Sequence, residues 1–301
     1  DPEYRRRAAA EAAFWAAPPF NSEIFERLHV GMLKRFIDES YTGDPTRSWL
    51  ADLARRGPFA RAAALGSTEG AREGEWLAAG GSRRLDVYDI SPAVLAKARA
   101  RLARRLGRLR LPRRGLRFRV ADLNFVALPR ARYDVVWTSA SLHHVTNLEY
   151  LLAEVERSLR PGGLFAIHDY TGEPRLRYGA ERLALANAAL RRVPERFRLL
   201  PELAAPAESD MSPFEAVRSD ETLALARERF EALHVAEVDA LYPLLLAADF
   251  PRLEREEPAR VAELLEAERA GRAAGLRRCS VYAVFRKRAR AGGPPQRPTT
   301  G

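Results

Sequence analysis

Hydrophobic positions along the 301-residue chain change their period once. Through residues 1–60 they recur at helical spacing. Arg5 to Trp15 is alanine-rich and helical, and Pro18-Pro19 breaks it. Asn21 or Ser22 can cap a second helix, with Ile24, Phe25, Leu28, Met32 and Phe36 along one face. Asp44-Pro45 turns the chain, and Trp49, Leu50 and Leu53 start a third helix that Gly57-Pro58 ends. Short apolar runs then alternate with helical stretches. Arg61–Leu65, Arg84–Tyr88, Leu116–Val120, Tyr133–Thr138 and Leu164–His168 predict five strands. Helices run to about Ala79, from Ser91-Pro92 onward, and over Tyr150–Leu159 before a turn at Pro161-Gly162-Gly163. Residues 174–228 interrupt the alternation with two helical stretches around a Pro- and Ala-rich loop at 201–213. Phe230–Val238 and Ser280–Phe285 supply two more strands, separated by helix-rich sequence from Pro251 to Arg272.

This alternation predicts an α/β fold with a mostly parallel sheet covered on both faces. The expected organisation is an N-terminal helical cap at 1–60 and an α/β domain at 61–287 carrying the 174–228 insertion. Residues 288–301, with Gly292-Gly293-Pro294-Pro295, read as a disordered tail. There is no internal repeat.

In such a sheet, ligands bind beyond the carboxyl ends of the strands. The first strand leads into Gly66-Ser67-Thr68-Glu69-Gly70, where glycine permits close backbone approach. Asp89 ends the second strand, placed to accept hydrogen bonds from ribose hydroxyls. Asp122 ends the third, within reach of an adenine amino group. Together the three strand ends describe a nucleoside site.

Six segments carry a resemblance to the class I S-adenosylmethionine (SAM)-dependent methyltransferases. They are Ala64 to Gly70, Asp89-Ile90-Ser91-Pro92, Ala121-Asp122-Leu123-Asn124, Tyr133-Asp134-Val135-Val136, Ser141-Leu142-His143-His144-Val145 and Leu159-Arg160-Pro161-Gly162-Gly163. The resemblance implies a Rossmann-like seven-stranded sheet ordered 3-2-1-4-5-7-6 with strand seven antiparallel. It also implies SAM held by the loop Gly66, Ser67, Thr68 and Gly70, with Gly66 and Ser67 at its methionine part. Asp89 would take the ribose, Ile90 the adenine face, and Asp122 and Leu123 the adenine edge. Thr138-Ser139-Ala140 would line the methionine end. The chain departs from the family pattern at Ala64, where an acid is usual, and at Thr68, where the middle glycine is usual. Those departures keep a catalytically inactive interaction protein of this fold among the alternatives.

The acceptor chemistry is read from the fourth and fifth strands. A hydroxyl that loses its proton is a better nucleophile, and a histidine suits that task. By resemblance to small-molecule and sugar O-methyltransferases, His143 and His144 with Asp169 form the base arrangement, His143 being the first choice. His168 reads as a packed histidine. Trp15, Tyr41 and Tyr170 are expected as pocket walls, with the N-terminal helices and the insertion forming a substrate lid. Ser212 to Ser219 resembles a segment of bacterial methyltransferases with glycan-related specificity, but is read here as a helix start with Ser212 as cap. No metal-ligand spacing stands out, so metal independence is expected.

Composition narrows the alternatives. The chain is 47% hydrophobic and 30% charged, too apolar for a disordered protein. Its single cysteine, Cys279, excludes an intramolecular disulfide. Asp1 to Arg7 lacks a signal-peptide core and no run reaches membrane-spanning length, so a soluble cytoplasmic protein with a small-molecule substrate is expected. The net charge is +10, almost all of it arginine, which together with abundant alanine fits a GC-rich genome. Eleven basic residues and no acid lie between Lys97 and Arg119; removing them from the 50 basic residues leaves 39 against 40 acids. The excess is therefore local, on one helix and the edge strand that follows it. The alternative is an RNA or protein methyltransferase, and this placement weakens the RNA reading. A nicotinamide dehydrogenase is disfavoured because Gly66 to Gly70 lacks G-x-G-x-x-G spacing.

Overall fold

A computed structural model describes residues 1–17, 31–108 and 115–288. Its seven strands are β1 (Arg61–Leu65), β2 (Arg84–Asp89), β3 (Leu116–Val120), β4 (Tyr133–Ser139), β5 (Leu159–Tyr170), β6 (Phe230–Val238) and β7 (Ser280–Lys287). They form one sheet in the order β3-β2-β1-β4-β5-β7-β6. The first five are parallel, and β7 runs antiparallel to both β5 and β6. This is the expected Rossmann-like topology.

The central strands are apolar throughout because both faces are covered. Ala62 and Ala64 of β1 face one cluster and Ala63 and Leu65 the other. On the first face lie α2 (Gly31–Thr42), α3 (Trp49–Arg55) and α4 (Ala71–Ala78). Trp49 and Trp76 flank the buried Trp137 at 6.0 and 6.3 Å between ring centroids. Leu50 and Leu53 are fully buried beside them, each stabilising the fold by roughly 1.5–3 kcal/mol. The second face is covered by α6 (Leu148–Ser158), whose Leu148, Leu151, Leu152 and Val155 pack on Phe165 and Ile167.

Between β2 and β3 runs α5 (Pro92–Arg108), with Leu95, Ala98 and Leu102 buried. Because β3 is the sheet's edge, Arg117 and Arg119 stand exposed, and Arg99 lies over Phe118 at 5.1 Å. The described part of the basic segment thus occupies one edge, where charge discourages strand pairing.

Some local expectations change. The turn at Pro161-Gly162-Gly163 falls within β5: Tyr133 pairs with Leu159, the register then shifts, and Val135 pairs with Leu164. Gly162 takes φ 71° in that bulge. The helix-rich stretch Pro251–Arg272 holds two helices, the second started by Pro258 after Glu257. The insertion carries α7 (Ala180–Leu190) and α8 (Thr222–Arg229); α9 (Tyr242–Ala247), α10 (Phe250–Glu256) and α11 (Pro258–Ala273) follow β6. Ser212 to Ser219 is a run of turns rather than a helix start, and α8 begins only at Thr222. The caps Asn21 and Ser22, residues 109–114 and the tail from 289 lie outside the described residues. No described helix is long and apolar enough to cross a membrane.

The remaining element, α1 (Pro2–Ala16), starts at Asp1, whose carboxylate accepts the Glu3 amide at 2.8 Å. It crosses the carboxyl edge of the sheet on polar contacts.

Candidate active site

After β1 the chain turns at Gly66, φ 80°, whose N–H donates to the Tyr88 carbonyl at 2.8 Å. A Cβ there would sit 1.9 Å from Ser141 Oγ, so only glycine lets the loops after β1 and β4 touch. Gly70, φ 86°, similarly lies against the α5 backbone, where a Cβ would be 2.9 Å from the Ala98 carbonyl oxygen.

The two departures from the family pattern are accommodated locally. Ala64 is fully buried in the core. Thr68 folds back on α4: its Oγ1 accepts the Arg72 amide at 3.0 Å and donates to Glu73 Oε2 at 3.2 Å. Ser67 Oγ donates to the other Glu73 oxygen at 2.6 Å. Glu73 is fully buried, and burial raises its pKa against these hydrogen bonds. The sequence did not single it out, yet it places a carboxylate under the loop whose usual acid is missing.

Asp89 Oδ2 accepts the Ser67 amide at 2.8 Å and Oδ1 the Ser91 amide at 2.7 Å. Burial pushes its pKa up to about 6, against the pull of those two amides. Ile90 beside it is half-buried. Asp122 accepts the Asn124 amide at 2.9 Å and, on its other oxygen, the Tyr4 hydroxyl at 2.6 Å. Asn124 Oδ1 in turn accepts the amides of Thr146 and Asn147 at 2.8 and 2.9 Å, fastening the loops after β3 and β4 together. Leu123 packs against the apolar cluster on the α6 face. Ser139 is buried, with its hydroxyl 3.1 Å from His168 Nδ1.

The histidine pair lies in a single turn, Leu142–His144, after β4. Asp169, in β5, fixes that turn: one oxygen accepts the Ser141 and Leu142 amides, each at 2.9 Å. The other accepts the Tyr170 amide at 2.9 Å and pairs with His143 Nδ1. His143 Nε2 then faces Glu215 Oε1 at 3.4 Å. Burial alone would lower the His143 pKa, but Asp169 and Glu215 prevail and raise it to about 10. Asp169 shows the converse: burial opposes ionisation, while His143 and the backbone amides hold its pKa down.

His144 makes a second set of contacts. Its Nδ1 is 3.1 Å from Glu11 Oε1 and 3.3 Å from Ser212 Oγ, and its Nε2 is 4.0 Å from Glu215 Oε2. The two imidazoles stand 4.0 Å apart between centroids. Trp15 meets His144 edge-on at 5.1 Å and donates its indole N–H to Glu11 at 2.6 Å. Glu11 also accepts the Phe214 amide at 2.9 Å. Burial would raise the Glu215 pKa, but His144, His143 and Arg175 draw it down to about 2.

The structure therefore brings His143, His144, Asp169, Trp15 and Tyr170 together, the Tyr170 ring lying 6.1 Å from His143. Tyr41 goes elsewhere: it is buried against His168 and Tyr282, a core position rather than a wall of this cluster. His168 stacks on Trp49 at 4.8 Å, as a packed histidine should. Sequence reasoning missed Tyr4, Glu11, Glu73 and Glu215. Only Glu215 had a signal, since its segment was noted and then read as a helix start.

Residues 64–167 match the family described as methyltransferase domain. A stretch of 53 residues is 40% identical to 27-O-demethylrifamycin SV methyltransferase of Amycolatopsis mediterranei (strain S699), covering 18% of this chain. The match spans only 20% of that relative's length. Among solved structures, a protein assigned as a sarcosine dimethylglycine methyltransferase of Galdieria sulphuraria is similar with a TM-score of 0.50 and 15% identity. That match covers 79% of this chain and 84% of the other. A SAM-dependent methyltransferase of Mesorhizobium loti gives a TM-score of 0.45 and 20% identity over 77% of this chain and 92% of its own. At 15% identity the likeness to the Galdieria protein speaks to the fold alone.

Proposed function

We propose that this chain, whose residues 64–167 match a methyltransferase-domain family, is a class I SAM-dependent methyltransferase that methylates a hydroxyl of a small molecule such as a sugar, glycan or secondary metabolite. One observation carries the reading. The nucleoside edge, Asp89 and Asp122, and the His143–Asp169 pair are joined by the close contact of Gly66 with Ser141. Cofactor and acceptor would thus meet across a junction that only glycine permits.

Bound SAM supplies a methyl group on a positively charged sulfur. The Gly66–Gly70 loop, Asp89 and Asp122 would hold it so that this methyl group is offered to the acceptor oxygen. Asp169 holds His143 with Nε2 toward Glu215, where the two carboxylates keep the ring protonated; Nε2 would receive the hydroxyl proton only after the acceptor has displaced Glu215 and the ring has given up its own proton. Glu215 stands at that nitrogen and must yield to the acceptor. Oxygen as the acceptor atom is supported by the name of the Amycolatopsis relative, itself an O-methyltransferase by that name. The basic edge at Arg117 and Arg119 is remote in the sheet order from β4 and β5, which favours a small molecule over RNA.

Calorimetric titration with SAM tests this reading, and no heat at millimolar ligand would overturn it. Asp89→Ala should abolish the binding. Unchanged affinity in that variant would refute the ribose assignment.

A further inference from the structure

Two carboxylate–histidine pairs converge on a third carboxylate in the turn after β4. Asp169 holds His143 by Nδ1 and Glu11 holds His144 by Nδ1, leaving both Nε2 atoms directed at the two oxygens of Glu215. We propose that His143, His144 and Glu215 bind a divalent transition metal, with zinc the best match to their chemistry.

The distances suit a small tetrahedral ion. Metal–nitrogen and metal–oxygen bonds near 2.0–2.2 Å place neighbouring ligand atoms roughly 3.3–3.5 Å apart. His143 Nε2 and Glu215 Oε1 are 3.4 Å apart, and the ligand atoms of all three residues lie within 4.8 Å of one another. Closing the remaining gap requires a side-chain adjustment at His144, whose Nε2 is 4.0 Å from Glu215.

The outer contacts fit as well. A metal-bound histidine commonly donates its other ring N–H to a carboxylate, which fixes the tautomer and aims the ligating nitrogen. Here both histidines have such a carboxylate, on two unrelated elements, α1 and β5. Charge points the same way. Glu11 and Asp169 are buried and Glu215 is half-buried; a histidine ligates a metal as the neutral ring, so metal binding releases the proton that Asp169 and Glu215 hold on His143 and another positive charge must stand in its place. A divalent ion supplies it. Two nitrogens and one oxygen favour zinc or a similar transition ion over magnesium or calcium, which prefer oxygen ligands.

Three protein ligands leave a fourth position open, as in catalytic zinc sites. A hydroxyl there would lose its proton more readily, so the ion would take over the task assigned above to His143 Nε2. That consequence rests on the proposed function; metal binding itself does not.

The test is titration of the metal-stripped full chain with Co2+, followed by its visible absorption. A tetrahedral cobalt band that saturates at equimolar metal and is displaced by Zn2+ is expected. His144→Ala and Glu215→Gln should weaken binding by at least about 100-fold, and Glu11→Gln by roughly 10- to 100-fold. Both ligand variants leave the Asp169–His143 pair in place, and circular dichroism checks that they fold. No band in excess cobalt, or a band unchanged in folded His144→Ala and Glu215→Gln, overturns the site. SAM calorimetry on the same preparation separates the two proposals: cobalt binding without SAM binding sustains the metal site and removes the methyltransferase reading.

Discussion

The proposed cofactor edge and the proposed acceptor end are adjacent but built differently. At the cofactor edge, contacts join neighbouring strand–loop–helix units, such as Ser67 with Asp89 or Asn124 with Thr146, each 22 residues apart. Backbone amides supply many of the donors. At the acceptor end, Glu11 meets Phe214 across 203 residues, and Ser212 meets His144 across 68. Side-chain carboxylates do most of the work there. One region follows from the sheet topology, whereas the other exists only when α1 and the insertion have docked.

The sharpest way to break this contrast is His143→Ala. Transfer should slow by about 10²- to 10⁴-fold while SAM affinity stays within about twofold. A parallel loss of both would mean that the two regions are not separable. Next is Gly66→Ala, which adds a left-handed strain and a collision with Ser141. It should cost roughly 2–4 kcal/mol of stability, read from thermal denaturation. Gly43→Ala shares the positive φ, 75°, but meets nothing within 4 Å, so it should cost only about 1 kcal/mol. Equal losses at the two sites would show that the Ser141 contact is not the cause.

A milder effect is expected from pH at the cofactor edge. The Asp89 pKa rises from 3.8 to about 6 on folding. Between those values the folded chain holds a proton that the unfolded chain releases, so this group's contribution to stability declines as pH rises through that window. Binding of ribose hydroxyls favours the carboxylate. SAM affinity should therefore fall as pH drops below about 6, by at most about tenfold per unit, and the dependence should vanish in Asp89→Asn. A pH-independent affinity would refute Asp89 as the acceptor group. The smallest effect is expected from Tyr4→Phe, which frees one Asp122 oxygen. Losing this part-buried hydrogen bond, worth about 1 kcal/mol, would tighten SAM binding by a few-fold. Weaker binding would instead make Tyr4 part of the cofactor site.

The same contrast explains what could be read in the sequence. Strand boundaries at Arg61–Leu65, Leu116–Val120 and Phe230–Val238 coincide with the structure, since short apolar runs bounded by turn residues encode them locally. Asp89, Asp122 and Asp169 were legible because each sits at or near the carboxyl end of a strand. Glu73 was not, since a glutamate in the first turn of a helix is ordinary at its N-terminus and nothing local signals its burial. Glu11 was invisible, and the segment of Glu215 misread, for a different reason. Glu11 lies in an alanine-rich helix and Glu215 between Phe214 and Ala216 in a run of turns, and only docking over a long sequence separation gives them a partner. Tyr41 erred in the opposite direction, because an aromatic residue on a helix carries no mark of which side of the sheet it will join.

Helix α1 connects these two regions more tightly than the sheet does. Tyr4 occupies Asp122 at the proposed cofactor edge, and Glu11 and Trp15 occupy His144 at the proposed acceptor end, about two and three turns further along the same helix. A ligand that displaces either contact loosens the other. The first ligand to bind would meet most of the cost of moving the helix, and the second would bind to a site already opened. Cofactor and acceptor affinities would then be thermodynamically linked, each raised by the other to the same degree.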